Sequence, residues 1–199
     1  MASVNHGGYA EYALAPAAQA LPLPEGVSDA QALALLVQGL TAVGLLETGS
    51  YKSVLVLAAA GGVGSLLVQV ARNRGIRVVA GVGSEAKKAT VLALGAEAAV
   101  SYADADWVAQ VRAATDGQGV EAVFDAVGGA VGTAALKTLG YVGTSVVYGN
   151  ASGEWTTITG LDLVGAGKLV RGYYVPDDVA KYGGFAQELF GYLQQFAAA

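Results

Sequence analysis

The chain has 199 residues, 54% hydrophobic and 14% charged, which gives one good core with room for a small annex and excludes a disordered chain. A formal net charge of -5 without any basic cluster argues against nucleic acid as a partner. The absence of cysteine excludes disulfides and thiolate zinc sites.

In chain order, residues 9–15 are β-compatible, and the Leu-Pro-Leu-Pro run at 21–24 is extended because each proline restricts its predecessor. Residues 1–25 read as the tail of one domain, and 26–199 as another. His6, with nothing near it to orient it, reads as a surface residue rather than a catalyst. No basic, apolar, cleavable leader opens the chain, so a cytoplasmic location is expected. Ser28 and Asp29 can cap a helix running to about residue 46, with Leu33, Leu36, Val37 and Leu40 as its apolar positions.

From residue 50 strands and helices alternate. Strands are expected at 53–58, 76–82, 98–102, 120–125, 142–148 and 168–175. Helices are expected at 62–74, 84–94, 105–115, 129–139 and 178–197. Gly75, Gly95 and Gly140 stand where helix C-caps belong. The strand runs are short and almost wholly apolar, as in parallel strands covered on both faces. Right-handed crossovers then predict an α/β fold: a doubly wound, parallel, six-stranded Rossmann sheet of order 3-2-1-4-5-6. The longest apolar window, 54–71, has the length of a membrane span, but its glycines, Ser65 and Gln69 fit a buried strand plus helix better.

The stretch 54–74, VLVLAAAGGVGSLLVQVARNR, is the centre of the chain. An apolar β-branched run meets a glycine-rich turn at Gly61, Gly62 and Gly64, and a helical pattern follows at once. Such a turn presents free N–H groups and the positive end of a helix to a phosphate. Gly61 would allow close approach of a pyrophosphate, and Gly64 would let the helix pack on the strand. Ala59 replaces the usual first glycine, giving A-x-G-x-x-G, and the motif by itself also fits a strand entering a helix with no ligand. In this sheet a ligand lies at the carboxyl ends of the strands, at the switch between the first and fourth. Gly83 and Ser84, the stretch from Asp125 to Gly129, and Tyr148, Gly149 and Asn150 all fall at that end.

An NAD site wants a carboxylate at the end of the second strand. Residues 79–83 hold no acid there. Ser84 and Lys87 follow, beside Lys88, and a hydroxyl with an ammonium suits a 2′-phosphate better than a diol. NADPH is therefore expected in preference to NADH. Glu85 is the dissenting residue, with room to point to solvent, and the two lysines also fit an ordinary solvated helix face.

By these residues the chain resembles the zinc-independent medium-chain dehydrogenase/reductases, specifically the NADPH:quinone oxidoreductase (zeta-crystallin-like) branch. The matching pieces are GGYAEYALAP (7–16), LPEGVSDAQALAL (23–35), GLTA (39–42), AAAGGVG (58–64), GSEAKK (83–88), LGAEAAVSY (94–102), DGQGVEAVFDAVGG (116–129) and YGNASG (148–153). They occur in the family's order and spacing across nearly the whole chain.

The resemblance implies that Thr41 approaches the nicotinamide end and that Gly61, Gly62, Val63 and Gly64 hold the pyrophosphate. It implies that Gly83, Ser84 and Lys87 contact the adenosine 2′-phosphate, with the Tyr102 hydroxyl reaching it from the third strand. Tyr148, Gly149 and Asn150 then lie beside the nicotinamide ribose. Strand-end packing is the alternative for Tyr102 and Tyr148. The resemblance also makes residues 1–25 a remnant of a GroES-like β domain, ahead of a Rossmann dinucleotide domain at 26–199.

One histidine and no cysteine disfavour a catalytic zinc. In the family the nicotinamide delivers hydride to a carbon conjugated to a carbonyl, so a small quinone or enone is the expected substrate. No proton donor stands out, and Asp125 is either a cofactor contact or a structural group. An NADPH-dependent oxidoreductase is the leading expectation. A non-catalytic NADP(H)-binding or assembly module is the alternative. The apolar run at 168–175 would form a sheet edge able to pair with a copy of itself, giving a homodimer.

Overall fold

Runs such as Val54-Leu55-Val56 have no polar face to offer water, and their β-branched residues and short length suit strands covered on both sides. The computed structural model describes residues 2, 4, 6–20, 22–175, 188 and 191. It divides into two compact units, residues 1–40 with 175–199, and residues 41–174.

The larger unit contains the sheet. Its strands are β1 (Ser53–Val56), β2 (Arg77–Val82), β3 (Ala98–Ser101), β4 (Val120–Asp125), β5 (Leu139–Val147) and β6 (Leu169–Gly172). All five pairings are parallel. The order is β3-β2-β1-β4-β5-β6, as the doubly wound pattern predicts. Helices α2 (Gly62–Asn73), α3 (Lys88–Ala93), α4 (Trp107–Ala113) and α5 (Gly129–Ala135) alternate with the strands.

β1 is the central strand, and Val54, Leu55 and Val56 are completely buried. One core cluster joins Leu55, Leu57, Val79, Val100 and Val123 to Trp107, Val111 and Leu136. Each such side chain removed from water stabilises the fold by about 1.5–3 kcal/mol before entropy is counted. The window 54–71 is thus a core strand, a turn and a core helix.

The smaller unit contains a 3-10 turn at Ala17–Gln19. Residues 9–15 are not a strand there, and Tyr9, Tyr12 and Leu14 are exposed. Helix α1 (Asp29–Leu46) begins in this unit and ends in the larger one. Its start is closed reciprocally: the Ser28 N–H donates to Gln31 Oε1 at 2.9 Å, and the Gln31 N–H donates to Ser28 Oγ at 3.3 Å. Among the described residues α1 is the one helix long and apolar enough to cross a membrane, and 56% of it is buried. A core helix passes the same test.

Several local expectations need correction. Gly75 and Gly95 end their helices with φ of 73° and 103°, but Gly140 lies inside β5. The chain ahead of it tightens into a 3-10 turn at Leu136–Thr138, so no left-handed cap is needed. The helix expected over 84–94 is instead a 3-10 turn at Glu85–Lys87 followed by α3. A short helix α6 (Gly160–Val164) was not expected. Thr159 and Asp162 close its start as a capping box. The helix expected over 178–197 falls outside the described residues, save for positions 188 and 191.

Candidate functional site

The glycine turn rises from the carboxyl end of β1, tied to both neighbouring strands. Leu57 N–H donates to the Phe124 carbonyl of β4, and Ala59 N–H donates to the Gly81 carbonyl of β2, each at 3.0 Å. The chain then folds back on itself, with Gly61 N–H donating to the Ala58 carbonyl at 2.8 Å. Gly61 is the N-cap of α2, with extended backbone.

Gly64 is wedged under the turn. A Cβ there would overlap the Ala58 carbonyl oxygen and lie 2.7 Å from Ala59 Cα. Only a glycine lets α2 approach so closely, as the fingerprint requires. The N–H groups of Gly62, Val63 and Gly64 occupy the first turn of a 12-residue helix, where no earlier helical carbonyl accepts them. Free N–H groups at a helix N-terminus are the kind of donor set that suits an anion, and these lie at the switch between β1 and β4.

Gly83, Ser84 and Lys87 follow the end of β2, and Tyr102 follows the end of β3 beside it. The Tyr102 hydroxyl lies 3.2 Å from where a Gly83 Cβ would stand, so the phenol arches over the glycine. Burial pushes the Tyr102 phenol up from its ordinary pKa. Glu85, the residue that spoke against a phosphate, is engaged elsewhere. Its carboxylate pairs with Lys88 Nζ at 2.7 Å, and Asp104 stands 3.8 Å from the same ammonium. The hydrogen bond to Glu85 raises the Lys88 pKa. Lys88 is therefore occupied, while Lys87 is exposed and no described ion pair engages it. With only a 3-10 turn at this point, the helix-dipole contribution expected from 84–94 is small.

Tyr148, Gly149 and Asn150 leave the end of β5 against the turn that follows β4. Tyr148 N–H donates to the Asp125 carbonyl at 2.9 Å. A Cβ on Gly149 would lie 3.1 Å from the Ala126 carbonyl oxygen. The Tyr148 hydroxyl is buried with no hydrogen-bond partner among the described residues. Burial, reinforced by the Asp125 carboxylate, raises its pKa strongly. Thr41 is buried in α1, 6% exposed.

Apart from Thr41 in α1, the sequence-predicted residues thus fall into the glycine turn, a Gly83–Tyr102 group and a Tyr148–Asn150 group at the carboxyl ends of the strands. Asp125 is resolved as structural: it is fully buried and both carboxylate oxygens accept protein donors. Its hydroxyl partner Thr156 lies 31 positions away, and the sequence carries no local signal for it. A shallow crevice lined by Ser53, Arg77, Glu97 and Thr115 lies at the opposite end of the sheet and belongs to no part of this site.

A family model described as zinc-binding dehydrogenase matches residues 62–190. A probable quinone oxidoreductase of Schizosaccharomyces pombe is 41% identical over 153 residues, covering 74% of this chain and 45% of that one. The crystal structure of a Pseudomonas syringae quinone oxidoreductase superposes with a TM-score of 0.84 at 32% identity, over 91% of this chain and 58% of that one. The Escherichia coli quinone oxidoreductase, solved in complex with NADPH, gives a TM-score of 0.80 at 30% identity over 87% and 56%. The chain spans about half the length of the curated relatives it matches. With the predicted strand order, the glycine cradle and these likenesses together, the chain belongs to the zinc-binding dehydrogenase family of the medium-chain dehydrogenase/reductases, on its zinc-independent quinone oxidoreductase branch.

Proposed function

We propose that this chain is the dinucleotide-binding part of an NADPH-dependent oxidoreductase that reduces a small quinone or α,β-unsaturated carbonyl compound. The observation that carries the reading is the pairing of two cradles. One is the glycine turn at the switch point, with Gly64 lodged under Ala58. The other is the acid-free end of β2, where Tyr102 covers Gly83 and Lys87 stands exposed. The first fits a diphosphate and the second a 2′-phosphate.

Bound NADPH supplies the hydride, delivered to a carbon conjugated to a carbonyl. The chain's own residues bind and orient. The N–H groups of Gly62, Val63 and Gly64 hold the diphosphate at the positive end of α2, with Gly61 opening the approach. Gly83, Ser84, Lys87 and Tyr102 hold and neutralise the 2′-phosphate. Thr41, Tyr148, Gly149 and Asn150 flank the nicotinamide end. No proton donor is assigned among them.

The same reading includes a cytoplasmic location, tested by fractionating source cells. It also includes a homodimer joined through β6. Among the described residues that strand pairs with β5 alone, and Leu169 on it is exposed. An unpaired edge of this kind is a template for a second copy.

Titration with NADPH, followed by nucleotide fluorescence and thermal shift, is expected to give saturable binding; no response refutes the reading. Steady NADPH oxidation with 9,10-phenanthrenequinone would establish turnover. Binding without oxidation would instead support the non-catalytic module.

A further inference from the structure

The last residue of β4, Asp125, is fully buried. A buried carboxylate has to be satisfied by donors, because an unsatisfied one is costly. Asp125 Oδ1 accepts the N–H groups of Val127 and Gly128, each at 2.9 Å. Asp125 Oδ2 accepts the Thr156 hydroxyl. Backbone bonds run alongside. Ala151 and Ser152 N–H groups donate to the Ala126 and Val127 carbonyls, and Gly129 N–H donates to the Glu154 carbonyl, all at 2.9 Å.

Two glycines make room for this clamp. A Cβ on Gly132 would collide with Asp125 Oδ2 and Thr156 Oγ1. A Cβ on Gly128, at φ 72°, would collide with the Glu154 carbonyl oxygen. One carboxylate therefore fastens the turn after β4 to the segment after β5, which starts with Tyr148, Gly149 and Asn150.

Both segments lie at the carboxyl ends of strands on the β4–β5 side of the switch point. A doubly wound sheet holds one nucleotide on each side of that point. Gly83 and Tyr102 assign the adenosine half to the β2 side, so the other side takes the nicotinamide half. We infer that Asp125 is a positioning residue for the nicotinamide half of the bound dinucleotide, acting through the clamp with Thr156 rather than by contact. This rests on the dinucleotide reading above. The carboxylate is no ligand itself, since it is completely buried among protein donors.

The test uses the whole chain and two probes titrated by calorimetry: NADPH, and 2′,5′-ADP, which carries the adenosine half with its 2′-phosphate and no nicotinamide. Thr156→Val leaves Asp125 Oδ2 without its hydroxyl donor, and Asp125→Asn removes the charge. Each is expected to raise the NADPH Kd about 10-fold while changing the 2′,5′-ADP Kd by less than about 2-fold. Thr156→Ser, which keeps the hydroxyl, should restore NADPH binding. Equal weakening of both probes, or of neither, overturns the positioning role and leaves the dinucleotide reading standing. A parent chain that binds neither probe overturns that reading and this inference with it. If Asp125→Asn does not fold, the Thr156 pair decides the matter.

Discussion

Replacing Gly64 with alanine puts a methyl group where the Ala58 carbonyl oxygen and the Ala59 backbone already stand. The new Cβ would be 2.7 Å from Ala59 Cα, against 3.4 Å for ordinary contact, so α2 must retreat by about 0.7 Å from that atom alone. Neither obstacle is a flexible side chain that can swing aside. The retreat loosens Leu67, Val68, Val70 and Ala71, all buried on α2. Overpacking of this kind costs about 1–3 kcal/mol, and alanine's better helix propensity returns up to about 1 kcal/mol. The net loss is about 1–2 kcal/mol, a fall in Tm of roughly 2–8 °C for a chain of this size. The same displacement moves the Gly62, Val63 and Gly64 N–H groups, so the NADPH Kd should rise about 10-fold or more. Differential scanning fluorimetry and calorimetric titration read the two effects. Gly160→Ala is the control, because a Cβ there meets nothing within 4 Å. A Gly64→Ala chain with unchanged Tm and unchanged NADPH affinity would refute the close-packed cradle.

Lys87→Glu should weaken NADPH about 10-fold and leave NADH within about 2-fold, since only NADPH carries the 2′-phosphate; parallel losses in a fluorescence titration would remove Lys87 from that pocket. The Asp162 carboxyl is held below its ordinary pKa, chiefly by the Thr159 hydroxyl and then by the Thr159 N–H. Its contribution to α6 is therefore present above the unfolded carboxyl's pKa and disappears as pH falls through the lowered folded value. Asp162→Asn should flatten that acid limb in a pH series of unfolding curves, and an unaltered limb would count against the capping box. Leu169→Lys puts a charge on the exposed edge of β6 and should shift the protein to monomer in light scattering, whereas an unchanged oligomer would place the interface elsewhere.

Much of the fold was legible because its signals are local. Val54-Leu55-Val56 suits a covered strand, Gly75 and Gly95 mark helix ends, and strict alternation with right-handed crossovers leaves few orders of winding. The capping pair Thr159 and Asp162 was equally local, yet the helix it starts is only five residues long and carries little periodicity to find. Gly140 was misleading because a glycine also serves where backbones crowd: a Cβ there would lie 2.8 Å from the Gln118 carbonyl oxygen, next to an irregularity in the β4–β5 register. Val142 takes φ 58° within β5, a conformation its β-branched side chain disfavours. The Gly83–Tyr102 contact was reachable only through the family pattern, because it joins strand ends that are adjacent in space and distant along the chain. The Asp125–Thr156 clamp was invisible for the same reason, and the lone carboxylate looked as much like a ligand as a strut.

The most direct measurement is a crystal structure of this chain with NADPH bound. The account predicts the diphosphate over the N–H groups of Gly62, Val63 and Gly64, with the 2′-phosphate among Ser84, Lys87 and the Tyr102 hydroxyl. A dinucleotide bound elsewhere, or a 2′-phosphate free in solvent with Tyr102 and Lys87 turned away, would contradict it.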